Sequence, residues 1–171
     1  MNTALKAMRL ALLATSASAA LLAAPVNAAT DTTSFGVKIT ITSTCDIHST
    51  PATDVDFGTV SSTATNVDQA GTLNIKCTKG TTYKIALDNG QNADTGGQRR
   101  MKQVSGSNTY YVNYNLYQNS GRTTAWGAAV ADSYAGSGTG ANQSISVYGR
   151  VPDANVQAGS YTDTVTATVT Y

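Results

Sequence analysis

The chain has one histidine, His48, and two cysteines, Cys45 and Cys77, among its 171 residues. Nucleophilic hydrolysis would need His48 to take a proton from a serine while an aspartate orients the ring. Ser and Asp are so common here that finding such partners carries no information. A zinc site needs three or four Cys, His or carboxylate ligands, and the spacing offers none. Asp54 and Asp56 form an Asp-x-Asp pair able to touch a cation. All ten acids are Asp, and no loop of regularly spaced oxygen ligands surrounds that pair, so a solvated turn is the plainer reading. Gly136-Ser137-Gly138-Thr139-Gly140 has the letters of a phosphate loop. It lacks the strand-to-helix setting and the following Lys, and is expected to be a flexible loop. The sequence thus predicts no catalytic residue, no metal ligand, no cofactor and no enzyme. What remains is aromatic: Tyr111, Tyr117 and Trp126 are candidates for a sugar-stacking surface.

The elements that must position these residues begin after a leader. Lys6 and Arg9 precede an apolar run, Leu10 to Ala24, and Val26-Asn27-Ala28 puts small residues where a signal peptidase acts. Residues 1–28 are predicted to be a secretory signal peptide; the run is shorter than the roughly 20 residues of a span. Removing 28 residues from 171 leaves 143, enough for one domain. The leader holds two of the eleven cations, so the rest carries nine cations against ten aspartates, net −1. That balance favours neither nucleic acid nor an anionic membrane. In an exported chain the two cysteines are expected to form one disulfide.

The remainder is dominated by Thr, Ser, Asn, Gly, Val and Tyr, which suit strands and turns. Ser34 to Thr42 alternates without a fault: Phe35, Val37, Ile39 and Ile41 on one side, Gly36, Lys38, Thr40 and Thr42 on the other. Burying those four apolar side chains is worth roughly 6–12 kcal/mol gross. Further extended pieces are predicted at Val55–Val60, Thr72–Cys77, Thr82–Leu87, Arg99–Val104, Thr109–Gln118, Ser144–Val151 and Tyr161–Tyr171, with a Gly-rich loop over 132–142. No helical period is present, and the pattern is that of an all-β antiparallel sandwich. Periodicity alone leaves the owner of Phe35–Ile41 open. Cys45 shares their odd parity, which suits a resident first strand; the alternative is a strand that fills a neighbour.

Several patterns together resemble the spore coat protein U domain family, which includes the subunits of archaic chaperone–usher pili. They are the alternating start before Cys45, Asp56-Phe57-Gly58, Ile75-Lys76-Cys77, Ile85 through Gly90, Val112 through Tyr117, Tyr148 through Pro152, and Gly159-Ser160-Tyr161-Thr162-Asp163-Thr164-Val165 running on to Tyr171. The resemblance covers residues 43–171 as a pilin domain and 29–42 as an N-terminal extension. It implies an incomplete immunoglobulin-like antiparallel β-sandwich, lacking its last strand and completed by a donor strand. By that resemblance the donor residues are Phe35, Val37, Ile39 and Ile41. The acceptor and chaperone-binding strand holds Tyr161, Val165, Ala167, Val169 and Tyr171, with the Tyr171 carboxylate held by chaperone cations. The implied partners are a periplasmic chaperone, an outer-membrane usher and neighbouring copies or related pilins. The implied role is a structural subunit of a surface filament for adhesion or biofilm formation, exported through the periplasm. A self-complemented secreted coat protein and a carbohydrate-binding sandwich are the alternatives.

Overall fold

The computed structural model describes residues 27–171 and divides into two units at residue 39. The expected signal peptide lies, except for its last two residues, outside the described residues. Among the described residues no helix is long and apolar enough to cross a membrane. In the first unit, residues 27–39 have no helix, turn or ladder, and Phe35, Val37 and Ile39 are 85%, 86% and 85% exposed.

The second unit begins at Thr40, has no ladder until Cys45, and leaves Ile41 exposed. Its strands are β1 (Cys45–Asp46), β2 (Thr65–Cys77), β3 (Thr82–Leu87), β4 (Arg100–Ser105), β5 (Asn108–Asn113), β6 (Asn115–Tyr117), β7 (Tyr134–Ser137), β8 (Asn142–Asp153) and β9 (Ala167–Thr170). One short 3-10 turn spans Val130–Asp132. Every strand pairing is antiparallel: one sheet in the order β1-β2-β8-β6, one in the order β7-β3-β9, and the hairpin β4-β5. The first sheet contributes Ile75, Ile145, Val147 and Val151 to the core, and the second Tyr83, Ile85 and Leu87. Cys45 and Cys77 form the expected disulfide, 32 residues apart in sequence. A loop of that length stabilises the fold by roughly 3–4 kcal/mol in the chain-entropy model.

Alternation in the sequence matches β3 residue for residue, since Tyr83, Ile85 and Leu87 point inward while Thr82 and Lys84 are exposed. Elsewhere long-range pairing overrides the pattern. β2 extends seven residues ahead of Thr72 because β8 pairs it from Thr65↔Asp153 to Lys76↔Asn142. That polar half is fastened by Asp68, which accepts from Arg150 Nε (2.7 Å) and Nη2 (2.8 Å), with Arg122 Nε 3.1 Å away. The Arg150 hydrogen bonds, aided by the Arg122 charge against partial burial, hold the Asp68 carboxyl below its usual range. The aromatic run Thr109–Gln118 is not one strand. It breaks at Tyr114, whose N–H donates to Arg99 O (3.1 Å) and whose carbonyl accepts from Gln98 Nε2 (2.9 Å), so β5 pairs with β4 and β6 with β8.

Two further expected features are corrected. Residues 134–137 of the supposed flexible loop form β7 on β3; Gly136 lies against the Tyr83 ring, where a Cβ would collide with it. Glycine there reflects close packing rather than flexibility. Val55–Val60 is not a strand: the one ladder contact nearby, Thr53↔Thr72, falls before it, and the segment then crosses β8, where a Cβ on Gly149 would meet Val55 and, at 2.9 Å, Phe57 Cζ.

Candidate assembly edge

The last stretch of chain carries the candidate site. Thr162 exchanges backbone hydrogen bonds with Lys102 of β4, at 2.8 and 3.1 Å. Thr164 O accepts from Gln91 N (3.1 Å) and Thr166 O from Asp88 N (3.0 Å). β9 then runs along β3 from Leu87↔Ala167 to Lys84↔Thr170. Even-numbered residues therefore turn their backbone groups toward the body. Bonding alternates along an antiparallel strand, so Val165, Ala167 and Val169 turn theirs to the other side. β9 is the edge of its sheet, and among the described residues no strand lies beyond it.

Side chains alternate too, and the odd set points inward. Tyr161, Val165, Ala167 and Val169 pack against the core, yet each remains only half-buried. Their neighbours on the same face of β3, Tyr83, Ile85 and Leu87, are 3%, 0% and 3% exposed. The core is closed at β3 and incompletely covered one strand further out. Cys45 of the edge strand β1 of the other sheet, with Ile47, Val55 and Phe57 after it, is half-buried against the same core. Tyr171 is 58% exposed. An edge with unpaired backbone and uncovered apolar side chains is a template for another strand.

Polar groups fix this edge from behind. The Asp163 carboxylate accepts from Tyr114 Oη (2.7 Å), Asn92 Nδ2 (2.8 Å) and Asn92 N (3.2 Å). Burial, reinforced by the bond to Asp163, pushes the Tyr114 phenol well above its ordinary range. Asp88 Oδ1 accepts from Thr166 N (2.9 Å) and Gly90 N (3.0 Å). Arg99 is 8% exposed and donates to Asp88 O through Nε (2.9 Å) and Nη2 (2.6 Å), to Leu87 O (2.9 Å) and to Trp126 O (2.9 Å). Burial lowers the Arg99 pKa, opposed by the nearby Tyr114, Asp88 and Asp163. None of this clamp was assigned a role from the sequence. The Asp88-Asn89-Gly90 turn signal and the spacing of Asp163 within Tyr161-Thr162-Asp163-Thr164-Val165 were its only marks.

The clamp has a pH signature. Burial opposes ionisation of Asp88, but the N–H donors of Thr166 and Gly90 outweigh it and hold the carboxyl below its usual value. A depressed carboxyl contributes stability that is complete above the unfolded value, about 3.9, and is lost as pH falls through the folded one. The urea midpoint of the native chain is expected to fall below about pH 4. In Asp88→Asn, which keeps the acceptor oxygen, that decline is expected to flatten. An identical pH slope in the two proteins would contradict the assignment.

The other sequence candidates are dispersed. His48 is exposed, and its backbone N–H donates to Asp46 Oδ1 (2.7 Å). Asp54 and Asp56 are exposed, and Asp56 Oδ1 closes a turn by accepting from Gly58 N (2.8 Å). Among the described residues no three His, Cys, Asp or Glu side chains gather to hold a metal. Trp126 does not join Tyr111 and Tyr117 in a surface platform. It is 0% exposed, and its Nε1 donates to Ile85 O (2.8 Å), because an indole buried for its area still needs a partner for its N–H.

An antiparallel sandwich with an open last edge places the fold beside the chaperone–usher pilus subunits. The chain is 25% identical, with a TM-score of 0.55, to a chain in the crystal structure of the CsuC–CsuE chaperone–tip adhesion subunit pre-assembly complex from archaic chaperone–usher Csu pili of Acinetobacter baumannii. That match covers 77% of this chain and 40% of the other. The Spore Coat Protein U domain matches residues 31–168, and the chain belongs to that family. Protein U of Myxococcus xanthus is 34% identical over 181 residues, spanning 98% of this chain and all of that protein.

Proposed function

We propose that the chain is a structural subunit of a surface filament, in which residues 29–42 of one copy add a strand to the open edge of another. The observation that carries this reading is a pairing of two incomplete parts. Phe35, Val37, Ile39 and Ile41 are 77–86% exposed on one side of an alternating stretch, and Val165, Ala167 and Val169 line an edge that leaves the core half-covered. In strand addition the backbone supplies affinity and alternate side chains supply register. The contact is head-to-tail and does not close, so it propagates as a filament. Residues 43–171 are the acceptor domain and 1–28 the leader that exports it through the periplasm to the cell surface.

Family membership and the likeness to a chaperone–usher complex support a pilus-type subunit rather than an enzyme. The same likeness supports a periplasmic chaperone that covers the edge before assembly, with an outer-membrane usher exchanging chaperone for neighbour. Adhesion or biofilm formation is the role such filaments would serve.

Deleting residues 29–42 tests the division of labour. The truncate, coexpressed with its chaperone, is expected to fold and to form no SDS-resistant ladder. A ladder would overturn the donor assignment. Failure to fold even with the chaperone would assign the stretch to its own core, as in a self-complemented coat protein.

A further inference from the structure

The outward face of the β4–β5 hairpin has a feature that filament assembly does not use. Tyr111 is 38% exposed, whereas Val112 beside it is 6% and Tyr114 5% exposed. The Arg100 guanidinium lies 4.2 Å from the centroid of the Tyr111 ring, and Arg100 Nε is itself fixed on Asn92 O (3.1 Å). A cation held over an aromatic face stabilises the ring's position. The tyrosine is therefore braced in the open rather than folded down on the surface.

Beside it is a cavity of about 240 Å³ lined by Tyr111, Asn113, Pro152, Asp153, Asn155 and Val156. Asp153 Oδ1 accepts from Asn155 N (2.9 Å), which fixes the carboxylate and leaves Oδ2 to another donor. The side-chain amides of Asn113 and Asn155 have no partner among the described residues, and each offers a donor and an acceptor. The lining thus has an aromatic wall and an apolar edge at Pro152 and Val156. Two amides and a carboxylate supply its polar groups.

A ligand for that combination must present an apolar face and a rim of hydroxyls. A pyranose ring does both: its C–H face stacks on an aromatic, and its hydroxyls pair with planar amide and carboxylate groups. The cavity is smaller than the roughly 300–1,000 Å³ of drug-sized sites, so it suits one sugar ring. We propose that this cavity is a saccharide subsite, binding a single pyranose unit of a glycan. Tyr111 is the stacking residue, and Asp153, Asn113 and Asn155 take the hydroxyls. Of the three aromatics proposed from sequence for such a surface, only Tyr111 belongs to it.

Saturation-transfer NMR on the full chain, with the methyl glycosides of glucose, galactose, mannose and N-acetylglucosamine as probes, tests this directly. At least one glycoside is expected to receive saturation, strongest on the protons of one ring face. Tyr111→Ala is expected to weaken that signal at least tenfold and Asn155→Ala to reduce it severalfold, while Tyr111→Phe retains it and filament ladders are unchanged in all three. Should Tyr111→Ala disturb the hairpin, Asn155→Ala, which lines the same cavity from outside the hairpin, still reports on the site. Absence of transfer to all four glycosides would overturn the proposal. Undiminished transfer in both alanine variants would do the same.

Discussion

Replacing Ile39 with Asp is expected to abolish SDS-resistant ladders while leaving the subunit's own melting temperature almost unchanged. Ile39 is 85% exposed, so a carboxylate there costs the isolated subunit nothing by desolvation. In the assembled edge the same side chain would be buried. The variant loses about 1.5–3 kcal/mol of apolar burial and adds several kcal/mol for an unpaired buried charge. Together these exceed about 4 kcal/mol, roughly a thousandfold in affinity. Thr40→Asp, one residue on, faces the other way in the same strand and is expected to leave the ladders intact. This odd–even contrast separates a strand that inserts by register from an arm that is merely sticky. Equal effects at positions 39 and 40 would contradict insertion by register.

The second large effect is expected at Arg99, far from the arm. Arg99→Leu removes four hydrogen bonds, strands the buried carbonyls of Leu87 and Trp126 and unpairs the half-buried carbonyl of Asp88. Bonds from a charged donor are worth about 1.5–3 kcal/mol, and orphaned buried acceptors add to the loss. A destabilisation of about 3–5 kcal/mol follows, which for a domain of this size lowers the thermal midpoint by roughly 10–15 °C. Because Asp88 also holds Thr166, the loss is expected to loosen the last strand first, seen as faster amide exchange at Thr166 and Ala167. Arg99→Lys keeps the charge without the planar fork and is expected to fall between the two. An unchanged midpoint in Arg99→Leu would show that the clamp contributes no stability.

Much of the fold was legible because a strand buried on one face writes its period into the chain. Tyr83, Ile85 and Leu87 alternate with the smaller or polar Thr82, Lys84 and Ala86, and Leu73, Ile75 and Cys77 alternate with Thr72, Asn74 and Lys76; both became strands. What stayed hidden depends on partners distant in sequence. Residues 65–71 carry no alternation that marks a strand, yet they pair with β8, reinforced by the Asp68–Arg150 bridge. The switch of sheets at Tyr114 is made by Gln98 and Arg99, and no periodicity marks a residue that changes ladders. Gly136 reads in sequence as a mark of flexibility because its contact, the Tyr83 ring, lies 53 residues away in the chain.

The candidate site divides along the same line. The alternation of Val165, Ala167 and Val169 was visible in sequence, as was that of Phe35 through Ile41. Their incomplete burial was not, since it depends on what lies beyond an edge. The clamp of Arg99, Asp88 and Asp163 consists of hydrogen bonds to backbone carbonyls, amides and a phenol, which leave no repeat to find.

The most direct measurement uses the two parts separately. The chain lacking residues 29–42 is refolded with a synthetic peptide of residues 29–42, and binding and thermal midpoint are recorded. A one-to-one complex with a raised midpoint is predicted for the native peptide and none for its Ile39→Asp counterpart. Absence of binding, or equal binding of the two peptides, would contradict the claim that this stretch completes the open edge of the last strand.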